Sequence, residues 1–109
     1  MKLTEIKCVP CKEGTPPLSH EEIEEFQKNL IIKWEVVADT KIFKKFTLKD
    51  FDQALEFINK VGAIAKEEDH HPNIHMYYNI VEIELWTHKI GGLSQNDFII
   101  AAKIDEIQI

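Results

Sequence analysis

The sequence predicts an α+β fold in which helices pack on one face of a four-stranded antiparallel sheet. Two observations lead to this fold class. Three segments carry helix-start motifs with apolar residues at helical spacing, and four short segments between them alternate or cluster in the manner of strands. The predicted order is α-β-β-α-β-β-α. Two layers are the simplest way for such elements to bury their apolar faces.

The three predicted helices begin at a common motif, a serine or threonine followed three residues later by an acid. It occurs at Ser19–Glu22, Thr47–Asp50 and Ser94–Asp97. Such a capping box satisfies two amide donors that a helix start leaves unpaired. The apolar face expected in the second helix consists of Phe51, Ala54, Leu55, Ile58, Val61 and Ala65.

The last helix carries two apolar rows. The row expected to pack on the sheet contains Phe98, Ala101 and Ala102, and the second row contains Ile100, Ile104 and Ile107. A helix that is apolar on two sides needs two partners. The isoleucine row is therefore a candidate contact between subunits.

Two hairpins are predicted between the helices. The alternation over Val81–His88 is typical of a half-exposed strand, and Ile74–Tyr78 precedes it with Asn79 in a tight turn. An earlier pair, 34–37 and 41–46, surrounds a short turn at residues 38–40.

The length of 109 residues fits one domain. Residues 1–17 contain three of the four prolines and are predicted to form an extended lead-in. Residues 18–109 are expected to form the single domain. A domain of this size buries a modest fraction of its surface, which favours oligomerisation.

The charge pattern and the cysteine count argue against several classes of protein. Thirteen basic residues are scattered among nineteen acids, giving a net charge of −6, whereas nucleic-acid binding needs a concentrated basic surface. No apolar run reaches the roughly 20 residues that span a bilayer, and the start lacks the apolar core of a signal peptide. We expect a soluble, cytoplasmic protein. Its two cysteines, Cys8 and Cys11, are too few for a disulfide framework.

The histidines are the main candidates for chemistry. Four of the five lie within a short stretch: His70, His71, His75 and His88. Pro72 ends the second helix at this point, because it disfavours helical angles at the preceding residue. Adjacent histidines on an extended segment point in different directions and so reach two parts of one ligand. Imidazole is also the side chain best suited to moving protons near neutral pH.

Structural explanations compete with these functional ones. An Asp-His-His-Pro segment is also typical of a solvated helix end, and Asp97 is accounted for by its capping box. His75 alternates with apolar neighbours and has no partner implied by the sequence. Trp86 and Tyr78 are also ordinary strand residues, since aromatic side chains favour sheets.

A metal site is a competing interpretation of the histidines. Its ligands would be His70, His71 and His88, with Asp69 as an oxygen donor. The spacing argues against it, because adjacent histidines seldom converge on one ion. A zinc ion at Cys8 and Cys11 would need His20 or another chain to complete its ligands.

The combined pattern resembles the pterin-4a-carbinolamine dehydratase family. The matching positions are Lys66, His70, His71, Pro72, Tyr78, His88 and Asp97, with further similarity over 85–94. The resemblance covers most of the chain, from residue 16 to residue 105. Animal members of this family also act as dimerisation cofactors of a homeodomain transcription factor.

The resemblance implies an α-β-β-α-β-β-α fold and a hydro-lyase that dehydrates a 4a-hydroxytetrahydropterin in tetrahydrobiopterin recycling, without metal or organic cofactor. His70 and His88 would transfer protons and His71 would orient the ring, so that the expected catalytic residues are His70, His71 and His88. The expected substrate-binding residues are Asp69, Pro72, Tyr78, Trp86 and Asp97. The only partners expected are the pterin and further copies of the chain, in a homodimer or homotetramer.

Two other functions stay open from the sequence. The same scaffold could serve as a regulatory binding protein, similar to a transcriptional coactivator. It could also be a dehydratase-like protein of molybdopterin metabolism. The sequence does not assign the acid and the base among the histidines, and it gives no role to Cys8 and Cys11.

Overall fold

A computed structural model describes residues 2–109 and confirms the predicted fold class. Three helices lie on one side of a four-stranded antiparallel sheet with the spatial order β1-β2-β4-β3. The helices are α1 (His20–Gln27), α2 (Phe51–Glu68) and α3 (Gln95–Asp105). The strands are β1 (Glu35–Val37), β2 (Lys41–Thr47), β3 (Asn73–Tyr77) and β4 (Ile80–Leu85).

Both predicted hairpins are present, each with a tight turn. In the first turn Ala38 and Asp39 have φ of 53° and 52°, and two successive positive φ values match the twist of the flanking strands. In the second turn Tyr78 has φ of 52°. The turn therefore begins at Tyr78, one residue earlier than predicted.

The capping box predicted at Thr47–Asp50 is wrong. Thr47 is still part of β2, where it pairs with Ile80 of β4. The N-cap of α2 is Asp50, whose Oδ1 accepts a hydrogen bond from the Gln53 amide at 2.8 Å. The sheet thus retains Thr47, and the helix begins at the next residue that can cap it. The boxes at Ser19 and Ser94 are confirmed.

The buried face of α2 is rotated from the predicted one. Ala54, Phe57 and Val61 are buried, whereas Phe51 and Leu55 remain 46% and 42% exposed. The spacing of three and four residues from Ala54 onward is that of one helical face. Phe57, which the sequence analysis left out, therefore replaces Leu55 in the core.

Two of the three isoleucines in the predicted row, Ile100 and Ile104, lie in the core of the monomer, so the predicted subunit contact is wrong for these two residues. Ile100 and Ile104 are 0% and 1% exposed, and Ile107 packs against the core at the helix end. The second partner of α3 is the chain itself, because α1, α2 and the N-terminal segment all contact this helix.

The N-terminal segment packs against one side of α3. A short 3-10 helix at Leu3–Glu5 places Leu3 in the core at 2% exposure. From Ile6 to Pro17 the segment forms no helix or strand. Within residues 2–109, no helix is both long and apolar enough to cross a membrane.

Candidate active site

The C-terminal end of α2 sets the position of His70. Asp69 has φ of 53°, a left-handed conformation that Asp tolerates better than most residues, and its amide bonds to the Ala65 carbonyl. The His70 amide also donates to the Ala65 carbonyl, at 3.2 Å. This hydrogen-bonded stop turns the chain sharply and places His70 immediately after the helix.

His70 is held by a buried carboxylate. Its Nε2 lies 2.6 Å from Oδ1 of Asp97, which is 0% exposed. Oδ2 of Asp97 accepts hydrogen bonds from the Thr87 hydroxyl and the Ser94 amide, both at 2.9 Å. A carboxylate surrounded by donors accepts from Nε2–H as well, which leaves Nδ1 of His70 available to a ligand.

His88 lies one residue beyond Thr87 in a short 3-10 helix, His88–Ile90, because β4 ends at Leu85 and not at His88 as predicted. Its ring stacks on Trp86 with the centroids 4.2 Å apart and the planes at 27°. His88 is exposed, so its ring lies at the surface, and the stacking holds it in place there.

The loop after His88 is closed by two glycines. Gly91 has φ of 65°, and the Gly92 carbonyl accepts from the Thr87 amide at 2.8 Å. A Cβ at Gly92 would lie 2.7 Å from Cβ of Pro17. The close approach of Pro17 therefore needs glycine there, and it fixes the loop that carries His88.

His71 has much weaker support than His70. Its side chain is 70% exposed, and its Nε2 is 3.8 Å from a carboxylate oxygen of Asp69, which is itself 92% exposed. This distance is beyond hydrogen-bond range. His71 is thus free to turn toward a ligand at the rim.

A cavity of about 720 Å³ unites most of the predicted site. Four parts of the chain line it: residues 7–11, 67–73 and 86–89, and Asn96. The predicted site residues among them are Asp69, His70, His71, Pro72, Trp86 and His88. The structure therefore brings together six residues that the sequence analysis selected.

Tyr78 and Asp97 do not line this cavity. Tyr78 lies in the β3–β4 turn, and Asn73 at the other end of β3 is the cavity residue, so about 16 Å of extended chain separates them. Asp97 is fully buried behind His70. Both predicted substrate-binding residues therefore lie outside the cavity lining, and Asp97 holds a catalytic candidate from behind.

Glu68 is a buried residue of the site that sequence reasoning missed. It is 7% exposed; its Oε2 accepts from Lys103 Nζ at 2.7 Å and its Oε1 from the Cys8 amide at 2.9 Å. The Lys103 hydrogen bond is the main reason that the pKa of Glu68 lies below its usual value. No local pattern marks contacts between residues 35 and 60 positions apart.

Both cysteines line the cavity as free thiols. Burial, reinforced by the charge of Glu68, raises the pKa of Cys8 to about 12. The Cys8 thiol is therefore protonated at neutral pH. Within residues 2–109 no three side chains of His, Cys, Asp or Glu are grouped as metal ligands.

Comparison with known proteins decides the family. The sequence pattern of the family described as "Pterin 4 alpha carbinolamine dehydratase" matches residues 16–107. The chain belongs to this family. A Rickettsia canadensis protein is 46% identical over 103 residues, covering 94% of each chain. An Alkaliphilus metalliredigens protein is 44% identical over 106 residues, covering 97% of this chain and 96% of its own. Both carry the provisional name pterin-4-alpha-carbinolamine dehydratase.

Solved structures agree with this dehydratase family. The transcriptional coactivator/pterin dehydratase from Brucella melitensis superposes with a TM-score of 0.75 at 31% identity, over 82% of this chain and 95% of its own. A pterin dehydratase-like RuBisCO assembly factor of the α-carboxysome gives 0.57 at 24% identity, over 66% and 84%. The second likeness is evidence for the fold alone.

Proposed function

We propose that this member of the family dehydrates a 4a-hydroxytetrahydropterin to a quinonoid dihydropterin. The observation that carries the proposal is the His70–Asp97 pair, in which a buried carboxylate holds an imidazole at the wall of a cavity. About 720 Å³ is within the range of small-molecule sites. The family supplies the substrate class.

The reaction needs two proton transfers and no change in oxidation state. A base takes the proton from N5 of the pterin, and the N5–C4a bond becomes double as the C4a–oxygen bond breaks. An acid gives a proton to the departing hydroxyl, which leaves as water. Two imidazoles are sufficient for these steps.

His70 and His88 are the residues to which we assign the two transfers. Asp97 holds Nε2 of His70, so Nδ1 faces the reacting atoms with a lone pair or, after protonation, with a proton. His88 is exposed and stacked on Trp86, so it exchanges protons with water while its ring stays in place. His71 orients the ring from the rim, with Trp86 offering it apolar surface.

In this proposal the substrate comes from a pterin-dependent aromatic amino-acid hydroxylase, whose turnover leaves a 4a-hydroxylated cofactor. The product is then reduced elsewhere, as tetrahydrobiopterin recycling requires. The name of the Brucella protein, which joins coactivator and dehydratase, favours regulatory protein binding as the second candidate. That role would survive removal of the histidines, whereas dehydration would not.

The test is the rate of 4a-hydroxytetrahydropterin dehydration, measured with purified protein in the presence of a chelator. We expect His70→Ala and His88→Ala each to lower turnover by about 10²–10⁴-fold, because each removes an acid or base. His75→Ala is the matched control. His75 is exposed on β3 and lies outside the cavity lining, so this variant should retain full activity.

Each outcome has a definite meaning. Fast turnover that survives the chelator and is lost in both active-site variants supports the histidine mechanism. Full activity in His70→Ala and His88→Ala contradicts the assignment of the residues. Wild-type protein that does not exceed the buffer rate contradicts the proposed function and favours the regulatory role.

A further inference from the structure

One wall of the cavity comes from residues that precede the segment matched by the family pattern. Residues 7–11, here called the N-terminal strap, all line the cavity, and none of them belongs to a helix or a strand. The family match begins only at residue 16. The strap thus lies outside the matched pattern, although relatives that align over 97–98% of this chain include it.

The strap is fastened by two buried side chains. Asn96, 5% exposed, accepts from the Val9 amide through Oδ1 at 3.1 Å and donates to the Val9 carbonyl through Nδ2 at 2.6 Å. Glu68 accepts from the Cys8 amide. Three backbone groups in two successive residues are thus bonded to α2 and to the first turn of α3, so the strap has a fixed conformation.

The fixed backbone leaves an apolar side chain exposed on the cavity wall. Val9 is 65% exposed although both of its backbone groups are bonded to a buried side chain. Pro10 follows it and also lines the cavity. A flat heterocycle between His70, Trp86 and this wall would cover such surface, and burial of apolar surface is favourable.

We propose that the N-terminal strap is a substrate-binding wall, in which Val9 and Pro10 pack against the pterin, and that Asn96 is the positioning residue that holds it. The proposal rests on the proposed function for the identity of the ligand. The strap contributes no hydrogen bond to His70 or Asp97 among those described. It therefore acts on binding of the substrate and not on the proton transfers.

The first experiment compares two exposed apolar residues. Val9→Ser removes apolar surface from the wall, and we expect KM to rise about 5–10-fold while kcat changes less than about twofold. Ile32→Ser is the matched control, because Ile32 is 60% exposed and lies outside the cavity lining. This variant should leave both constants unchanged.

The second experiment loosens the strap without changing Val9 or Pro10. Asn96→Ala removes both bonds to Val9, and alanine is well tolerated in the first turn of α3. We expect KM to rise as in Val9→Ser. We also expect faster alkylation of Cys8 by iodoacetamide, because an undocked strap exposes a thiol that is half-buried and protonated in the docked state.

A ligand-protection measurement makes the two proposals separable. A stable 7,8-dihydropterin should slow alkylation of Cys11 in the wild-type chain, since Cys11 lines the cavity. Dehydratase activity together with unchanged KM in both variants and no protection overturns the strap proposal and leaves the function standing. A wild-type chain without activity contradicts the proposed function. In that case slower alkylation of Cys11 in the presence of the pterin supports the strap as a binding wall, and unchanged alkylation overturns it.

Discussion

Asp97 serves two purposes with one side chain. Its Oδ2 accepts from the Ser94 amide, which caps α3, while its Oδ1 holds Nε2 of His70. The capping motif accounts for the residue fully at the level of sequence, and so it conceals the second contact. The same carboxylate thereby connects the stability of a helix start to the orientation of a catalytic candidate.

Asp97→Asn tests that connection at the scale of the residue. The Ser94 amide must donate, so the amide oxygen of the new side chain should face Ser94 and its NH₂ group should face His70. Nε2 would then have to accept, and the proton would move to Nδ1. We expect dehydration to fall by about 10²–10⁴-fold, since Nδ1 loses the lone pair that a base needs.

The measurement is a pH–rate profile beside an NMR spectrum of the imidazole nitrogens. The spectrum should report the tautomer of His70 directly, and circular dichroism should report an intact fold. A variant that exchanges the tautomer yet keeps wild-type turnover would show that His70 does not act as the base.

At the scale of the element, local chemistry predicts order well and boundaries less well. The α-β-β-α-β-β-α order follows from caps and periodicity, which are properties of adjacent residues. Thr47 was misassigned because its sheet partner, Ile80, lies far along the chain and retains it in β2. The strand expected to reach His88 ends early for a similar reason. The conformation around His88 depends on its stacking on Trp86 and on the contact of Gly92 with Pro17, which is distant in the sequence.

Glu68 at the end of α2 makes a prediction about acid stability. Its pKa is lowered in the folded chain, chiefly by Lys103, so the folded state favours the charged form more than the unfolded chain does. This stabilisation is present above the ordinary value of 4.5 and is lost as the pH falls through the lower folded value. We therefore expect Glu68→Gln to lose stability near neutral pH and to show a shallower acid decline.

Urea unfolding of wild-type protein and Glu68→Gln over a series of pH values from roughly 3 to 7 gives the comparison. The difference in unfolding free energy should be greatest above pH 4.5 and should shrink below it. Glu56→Gln, an exposed carboxylate on the same helix, is the control and should follow the wild-type curve. A constant difference at every pH would mean that the charge of Glu68 is not the source.

At the scale of the whole molecule, the site is assembled from four separate parts of the chain. The sequence could select His70, His71 and His88 because imidazole transfers protons near neutral pH and because these positions match the pattern of the family. It could not select Asn96 or the strap, because the hydrogen bonds between them join residues 87 positions apart and no local sequence pattern marks them. The packing of α1, α2 and the N-terminal segment around α3 likewise depends on residues that are far apart in the sequence.

Ile104 tests that packing. The side chain is 1% exposed within a single chain, so Ile104→Ala should leave a cavity and lower the free energy of unfolding by about 2–5 kcal/mol. Because the lost contacts are within one chain, the loss should be independent of protein concentration. Ile107→Ala, at a half-buried position just after α3, should cost less. The expected homodimer or homotetramer stays a prediction, and sedimentation of both variants should give the wild-type assembly size. A loss of stability that grows on dilution would instead place Ile104 at a contact between subunits.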